Sequence, residues 1–262
     1  MDSSLDVNVF AGSQKVFEWR TCCEVMDRSK TGLFSGHTRC LGLYLAFFAG
    51  QVPLVFLAVI ALIDYGAGNL RSVHKALLHL GVEVRLVRQA EELDGCPGIV
   101  LPGVGAFDDC SLALKKQALM EATRQRLKDG AWFLGICVGY QILFERSDEF
   151  ESTSPGFGWF KGPVVRFPDQ PGLKVPQIGW NQVQQTREDC PLFRGIPDNS
   201  HFYFVHSYHP QPADPSITAG QTEYGGTFTS AVWKDRVFAT QFHPEKSQTL
   251  GLKLLQNFVE LV

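Results

Sequence analysis

Residues 132–145 read Trp-Phe-Leu-Gly-Ile-Cys-Val-Gly-Tyr-Gln-Ile-Leu-Phe-Glu, and the way this stretch divides decides the fold. Trp132 to Ile136 is an uninterrupted apolar run, as expected of a strand buried on both faces. Val138 to Glu145 reads as a short helix. Between them stands Gly135-Ile136-Cys137-Val138-Gly139, so a strand turns directly into a helix with a cysteine at the turn. This is the layout of a nucleophile elbow, with cysteine in place of serine. The flanking glycines let the turn tighten without Cβ clashes. The helix N-terminus supplies free N–H groups and a positive dipole end, which favour a thiolate and a developing oxyanion. A small buried cysteine in a turn is the plainer reading, and the strand–helix junction weighs against it.

Working outward, strand and helix signals alternate on the N-terminal side. Leu57 to Ile63 is an apolar strand, followed by a helix from Asn69 to Leu80 that Gly81 stops. Val82 to Val87 and Gly98 to Leu101 are further strands, and one helix is expected from Asp108 to Lys128. Such alternation predicts α/β architecture, an open, mostly parallel sheet flanked by helices. After residue 155 Gly and Pro become frequent. Short β-like runs follow at 159–167, 175–184, 201–208, 217–224, 227–233 and 236–242, with Asp235-Arg236 as a hairpin turn. They predict an antiparallel supplement, closed by a helix from Ser247 to Leu261.

A thiolate nucleophile needs a proton carrier. Gln241-Phe242-His243-Pro244-Glu245-Lys246-Ser247 places His243 and Glu245 two residues apart, on one face of extended backbone. Pro244 cannot donate to a ladder and marks a strand end, which is where an elbow cysteine would also lie. His243 then serves as general base and acid, with Glu245 fixing its tautomer. A third element, Leu101-Pro102-Gly103-Val104-Gly105-Ala106, follows a buried strand and suits exposed backbone donors for an oxyanion or a carboxylate. Gly66-Ala67-Gly68-Asn69-Leu70-Arg71 has arginine where a dinucleotide fingerprint requires glycine, and no phosphate-binding Gly-Lys loop occurs, so no cofactor is implied.

Composition narrows the class. Of 262 residues 45% are hydrophobic and 19% charged, with a formal net charge of −3, which excludes a disordered chain and argues against a dedicated nucleic-acid binder. Residues 1–56 carry five basic and five acidic groups, so the whole −3 belongs to the remaining 206. The 23 uncharged residues Leu41 to Ile63 are formally long enough to span a bilayer. Once Leu57 to Ile63 is taken as a strand, the remaining 16 residues contain Gly42, Gly50, Gln51 and Pro53 and are too short and interrupted. Residues 1–56 are therefore read as an extension outside a domain at 57–262, consistent with a start codon assigned upstream. The seven cysteines form no Cys-x-x-Cys pair, so neither a disulfide framework nor a metal site is expected, and the compartment is read as reducing and cytoplasmic, with no membrane association.

Six segments together resemble the class I glutamine amidotransferases. They are DYGAGNL (64–70), LPGVGAF (101–107), GICVGYQILFE (135–145), PQIGWNQV (176–183), FYFVHSY (202–208) and QFHPEKS (241–247). Their combination is similar, more narrowly, to the glutaminase subunits of imidazole glycerol phosphate synthase. The resemblance covers nearly the whole chain from residue 58. It implies a Cys137–His243–Glu245 triad that hydrolyses glutamine through a thioester. It also implies an oxyanion site flanked by Gly103, Val104 and Gly105, and glutamine contacts from Gln141 and the backbone at Ser207 and Tyr208. The implied partner is a (β/α)₈ cyclase subunit that receives the ammonia, with Trp180, Tyr203 and Lys246 at the interface. Tyr140 departs from the methionine common at that position, and residues 1–56 match nothing in the family. The triad alone leaves open the glutaminase of another synthase, or a non-catalytic binding subunit on the same fold.

Overall fold

In a computed structural model, residues 59–66 and 69–262 are described. The extension expected over residues 1–56, with most of its apolar run, lies outside them. The described part of the run, Val59–Ile63, forms β1, and Ile60 to Ile63 are buried. It is followed by α1 (Leu70–His79), β2 (Glu83–Val87), β3 (Gly98–Gly103), α2 (Phe107–Lys116), α3 (Leu119–Lys128), β4 (Trp132–Cys137) and the one-turn α4 (Val138–Gln141). The C-terminal half contributes β5 (Arg146–Ser147), β6 (Pro163–Arg166), β7 (Gln177–Gln185), β8 (Ser200–His206) and β9 (Tyr208–Pro210). It continues with β10 (Thr218–Glu223), β11 (Thr227–Lys234), β12 (Val237–Thr240) and α5 (Gln248–Val259). Among the described residues no helix is long and apolar enough to cross a membrane.

Among the described residues nine strands form one sheet in the order β2-β1-β3-β4-β12-β11-β10-β7-β8. The first five are mutually parallel, and from β12 onward every pairing is antiparallel. The inner strands β1, β3, β4 and β12 read as largely apolar runs because both faces are covered, whereas the edge strand β2 is mostly exposed; β3 and all of β4 but Trp132 are buried throughout. β11 and β12 meet in a two-residue hairpin at Asp235-Arg236, with Asp235 in the left-handed region at φ 53°. A small second sheet, β5-β6-β9, lies apart from the main one in pairing.

Two expected helices differ. The single helix over 108–128 is broken into α2 and α3 at Gln117-Ala118, where Ala118 adopts φ 56° and the chain restarts so that Leu119, Met120, Thr123 and Leu127 are buried. The helix expected over 138–145 ends at Gln141, and the chain turns through Ile142 to Phe144, whose N–H groups still pair back to Val138, Tyr140 and Gln141. Beyond it the carbonyls of Ile142, Leu143 and Phe144 accept from the backbone of Phe157, Trp159, Phe160 and Gly158. That returning segment accordingly replaces the first part of the strand expected at 159–167, which begins only at Pro163.

The parallel half positions the site. β3 and β4 run in register to their carboxyl ends, pairing Gly103 with Cys137. On the other side of β4, β12 pairs Thr240 with Ile136. Three segments named by the sequence thus end at one sheet edge, the usual place for a site in an open α/β fold.

Candidate active site

Cys137 is the last residue of β4 and directly precedes α4, with φ 56° and ψ −108°. That strained conformation is held by close packing behind it. A Cβ on Gly139 would sit 1.9 Å from the Leu101 carbonyl oxygen, and one on Gly135 would sit 2.4 Å from the Gly139 oxygen. Only glycine permits this approach. The sulfur is nearly buried and opens onto a cleft of about 390 Å³.

His243 follows β12 by three residues and is almost fully buried. Its backbone N–H donates to the Tyr203 carbonyl, tying it to β8. Its Nδ1 lies 2.8 Å from Glu245 Oε1, both side chains being at most 1% exposed. The pair does not come together on extended chain as the spacing suggests; Pro244 opens a 3₁₀ turn, Pro244–Lys246, that swings Glu245 back to the ring. With Nδ1 engaged, Nε2 has no hydrogen-bond partner. Burial pushes the imidazole down, but Cys137 and Glu245 outweigh it and hold it up at about 10, so His243 is protonated at neutral pH. An imidazolium facing a cysteine is the arrangement that sustains a thiolate nucleophile.

The comparisons with known proteins agree with this geometry. Residues 61–261 match the family described as glutamine amidotransferase class-I. The imidazole glycerol phosphate synthase subunit HisH of Synechococcus sp. (strain JA-3-3Ab) is 50% identical over 204 residues, covering 78% of this chain and 94% of that protein. The same subunit of Methanocaldococcus jannaschii is 50% identical over 206 residues, 78% of this chain and all of that protein. The chain belongs to the HisH family of class I glutamine amidotransferases. In fold it resembles PurLQS from Thermotoga maritima, with a TM-score of 0.62 at 19% identity over 78% of this chain and 98% of that one. A second structure, a glutamine amidotransferase, gives 0.61 at 20% identity, covering 77% and 97%.

In this HisH-family chain the cleft is lined by Val104, Gly105, Gln141, Ser207 and Tyr208 as well as by Cys137 and His243. Gly103 lies just behind, buried at the end of β3, where an added Cβ would meet the Gly139 nitrogen at 2.7 Å. Gln141 spends its amide N–H on the Tyr208 carbonyl at 2.9 Å, which leaves its oxygen as the free acceptor. Trp180, Tyr203 and Lys246 form a separate surface patch. Trp180 pairs with Tyr203 across β7 and β8, their rings 6.1 Å apart, and the Lys246 ammonium lies 5.9 Å from the Tyr203 ring. Trp180 is 46% exposed, and Ile178 beside it on β7 is 63% exposed. Lys246 also reaches the cleft, so patch and cleft adjoin.

Two contributors escaped the sequence reading. Glu149 lines the cleft and accepts from the Phe107 N–H at 2.8 Å; burial pushes its carboxyl up, and Asp108 and Asp109 add to this. Asn69 donates its side-chain N–H to Glu245 Oε1, the oxygen that also holds His243. In sequence Asn69 reads as the start of a helix after a glycine-rich turn, with nothing to tie it to Glu245. Among the described residues no cluster of His, Cys, Asp and Glu is arranged to hold a metal ion.

Proposed function

We propose that this chain is the glutaminase subunit of an imidazole glycerol phosphate synthase, with residues 57–262 as its amidotransferase domain and Cys137 as its nucleophile. The observation that carries the reading is the hydrogen-bonded His243–Glu245 pair set beside a cysteine on an elbow, at the edge of one cleft.

Free glutamine is a zwitterion with a terminal amide. Glu149 is the carboxylate of the cleft and suits the α-ammonium, while the Ser207–Tyr208 backbone and the Gln141 oxygen complete the polar lining. The Cys137 thiolate adds to the amide carbon. Charge moves to the carbonyl oxygen, which the N–H groups at the start of α4 and at Val104–Gly105 stabilise. The His243 imidazolium gives its Nε2 proton to the amide nitrogen, ammonia leaves, and a γ-glutamyl thioester remains. Neutral His243 then takes a proton from water, hydroxide adds to the thioester, and glutamate leaves as the thiolate and imidazolium are restored.

Ammonia released into water at neutral pH would be protonated and lost as a nucleophile. The reading therefore includes a partner, a (β/α)₈ cyclase subunit that takes the ammonia directly to make imidazole glycerol phosphate and an aminoimidazole carboxamide ribotide. The Trp180–Tyr203–Lys246 patch, aromatic and cationic beside the cleft, is the face assigned to it. The proteins of similar sequence are named as subunits, which supports a complex. The compartment is proposed to be cytoplasmic, as fits a biosynthetic enzyme with free, buried cysteines. The test is glutamine hydrolysis by the chain alone and after mixing with a cyclase subunit and its nucleotide. Turnover is expected to be low alone and to rise by on the order of a hundredfold in the complex, about 3 kcal/mol of coupling. Full turnover without any partner would contradict the reading.

A further inference from the structure

The last paired residues of β4 and β12 are Ile136 and Thr240, so Cys137 and Gln241 leave the sheet side by side. Gln241 is fully buried, and its Nε2 lies 3.7 Å from Cys137 Sγ, within hydrogen-bond reach for sulfur. A side-chain amide presents either an N–H or an oxygen to a neighbour, so its direction must come from its other contacts. Here they fix it. The Tyr208 carbonyl oxygen only accepts, and it takes an N–H from Gln141 at 2.9 Å. The same Gln141 nitrogen stands 3.3 Å from Gln241 Oε1. Gln241 must turn its oxygen there, and its N–H is left for the sulfur. The neighbouring His206, whose Nδ1 lies 2.9 Å from the same Tyr208 oxygen, anchors the start of this relay.

We propose that Gln241 is a catalytic residue: its amide N–H touches Cys137 Sγ and stabilises the nucleophile as a thiolate, with its orientation set by the Tyr208–Gln141 relay. A donor to sulfur favours the charged form over the neutral one, and in a buried setting its effect is not diluted by water. The proposal rests on the reading of Cys137 as the nucleophile. The titratable groups coupled to the sulfur are His243, backed by Glu245, and Tyr65 just past the carboxyl end of β1, whose hydroxyl is engaged with Cys110 rather than Cys137. None of them supplies a neutral donor of fixed direction as Gln241 does.

The experiment follows alkylation of Cys137 by iodoacetamide across pH in the full-length chain, read by mass on the peptide that contains it. Gln241→Leu is expected to slow the reaction about tenfold near pH 7, with the gap closing towards high pH, where the thiolate forms unaided. Gln241→Glu keeps the size of the side chain, loses the donor and adds a negative charge, so it should slow the reaction further at neutral pH; it decides the matter if the leucine variant does not fold. A pH–rate curve superimposable on that of the unaltered protein would overturn the proposal. So would a slowing equal at all pH, which reports lost packing rather than a lost donor. Protection of Cys137 by glutamine in the unaltered chain is measured alongside. Its absence would count against glutamine as the substrate and leave the Gln241 result standing.

Discussion

His206 and His243 lie close enough to influence each other, yet their environments drive them in opposite directions. Burial pushes the His206 ring down to about 3; the Tyr208 carbonyl works against that shift, and His209 and His243 reinforce it. His243 is held up at about 10 by Cys137 and Glu245. In an unfolded chain both rings titrate near 6.5. For His206 the folded value is depressed, so between about 6.5 and 3 only the unfolded chain takes up the proton, and stability falls as pH falls through that window. For His243 the folded value is raised, so its contribution is whole below about 6.5 and is lost as pH rises towards about 10. The two together favour maximum stability near 6.5. Urea unfolding of His206→Gln between pH 4 and 6 should show an acid-side slope shallower than the unaltered protein's by about 1.4 kcal/mol per pH unit, one proton's worth. Equal slopes would mean that His206 is charged in the fold.

At the scale of elements, the elbow depends on backbone meeting backbone. β3, β4 and α4 approach so closely at Gly139 that Gly139→Ala must move either the Leu101 carbonyl or the whole turn. That variant should lose about 3 kcal/mol of stability, at the upper end for overpacking, with a matching drop in the urea midpoint. An unshifted midpoint would show that the junction can open. This element was legible in the sequence because a buried parallel strand, two glycines and a short apolar helix leave few other arrangements. β7 and β8 were legible too, since burial alternates along them where one face is more exposed. The break at Ala118 was not: no Gly or Pro marks it, and the left-handed alanine sits between two helices that bury Leu114 on one side and Leu119 and Met120 on the other. The helix ending at Gln141 was equally hidden, because its terminator is a hydrogen-bonded segment some 15 residues downstream. The site divides in the same way. Cys137, His243 and Glu245 declare themselves by chemistry and spacing. Asn69, Glu149 and Gln241 are ordinary polar residues whose importance comes only from what the fold brings next to them.

Across the described residues, the parallel half of the sheet carries Cys137, the proposed nucleophile, and the antiparallel half builds what surrounds it. β4 and β12 deliver Cys137 and His243, while β8 and β9 bring the Ser207–Tyr208 wall and, with β7, the aromatic patch. Cleft and patch are joined through Lys246, so a partner docked on the patch would close over the cleft and keep ammonia from water. The net charge of −3 resides wholly in residues 57–262, and residues 1–56 contribute none of it. The proposed function has one core step: Cys137 takes the glutamyl group of glutamine and frees its amide nitrogen as ammonia for a cyclase. The most direct measurement of it compares synthase activity from glutamine with that from ammonium salt, for Cys137→Ala and the unaltered chain, each mixed with a cyclase subunit. The variant is expected to lose glutamine-dependent product formation by on the order of a thousandfold or more while ammonia-dependent formation persists; undiminished glutamine-dependent product from Cys137→Ala would rule out Cys137 as the nucleophile.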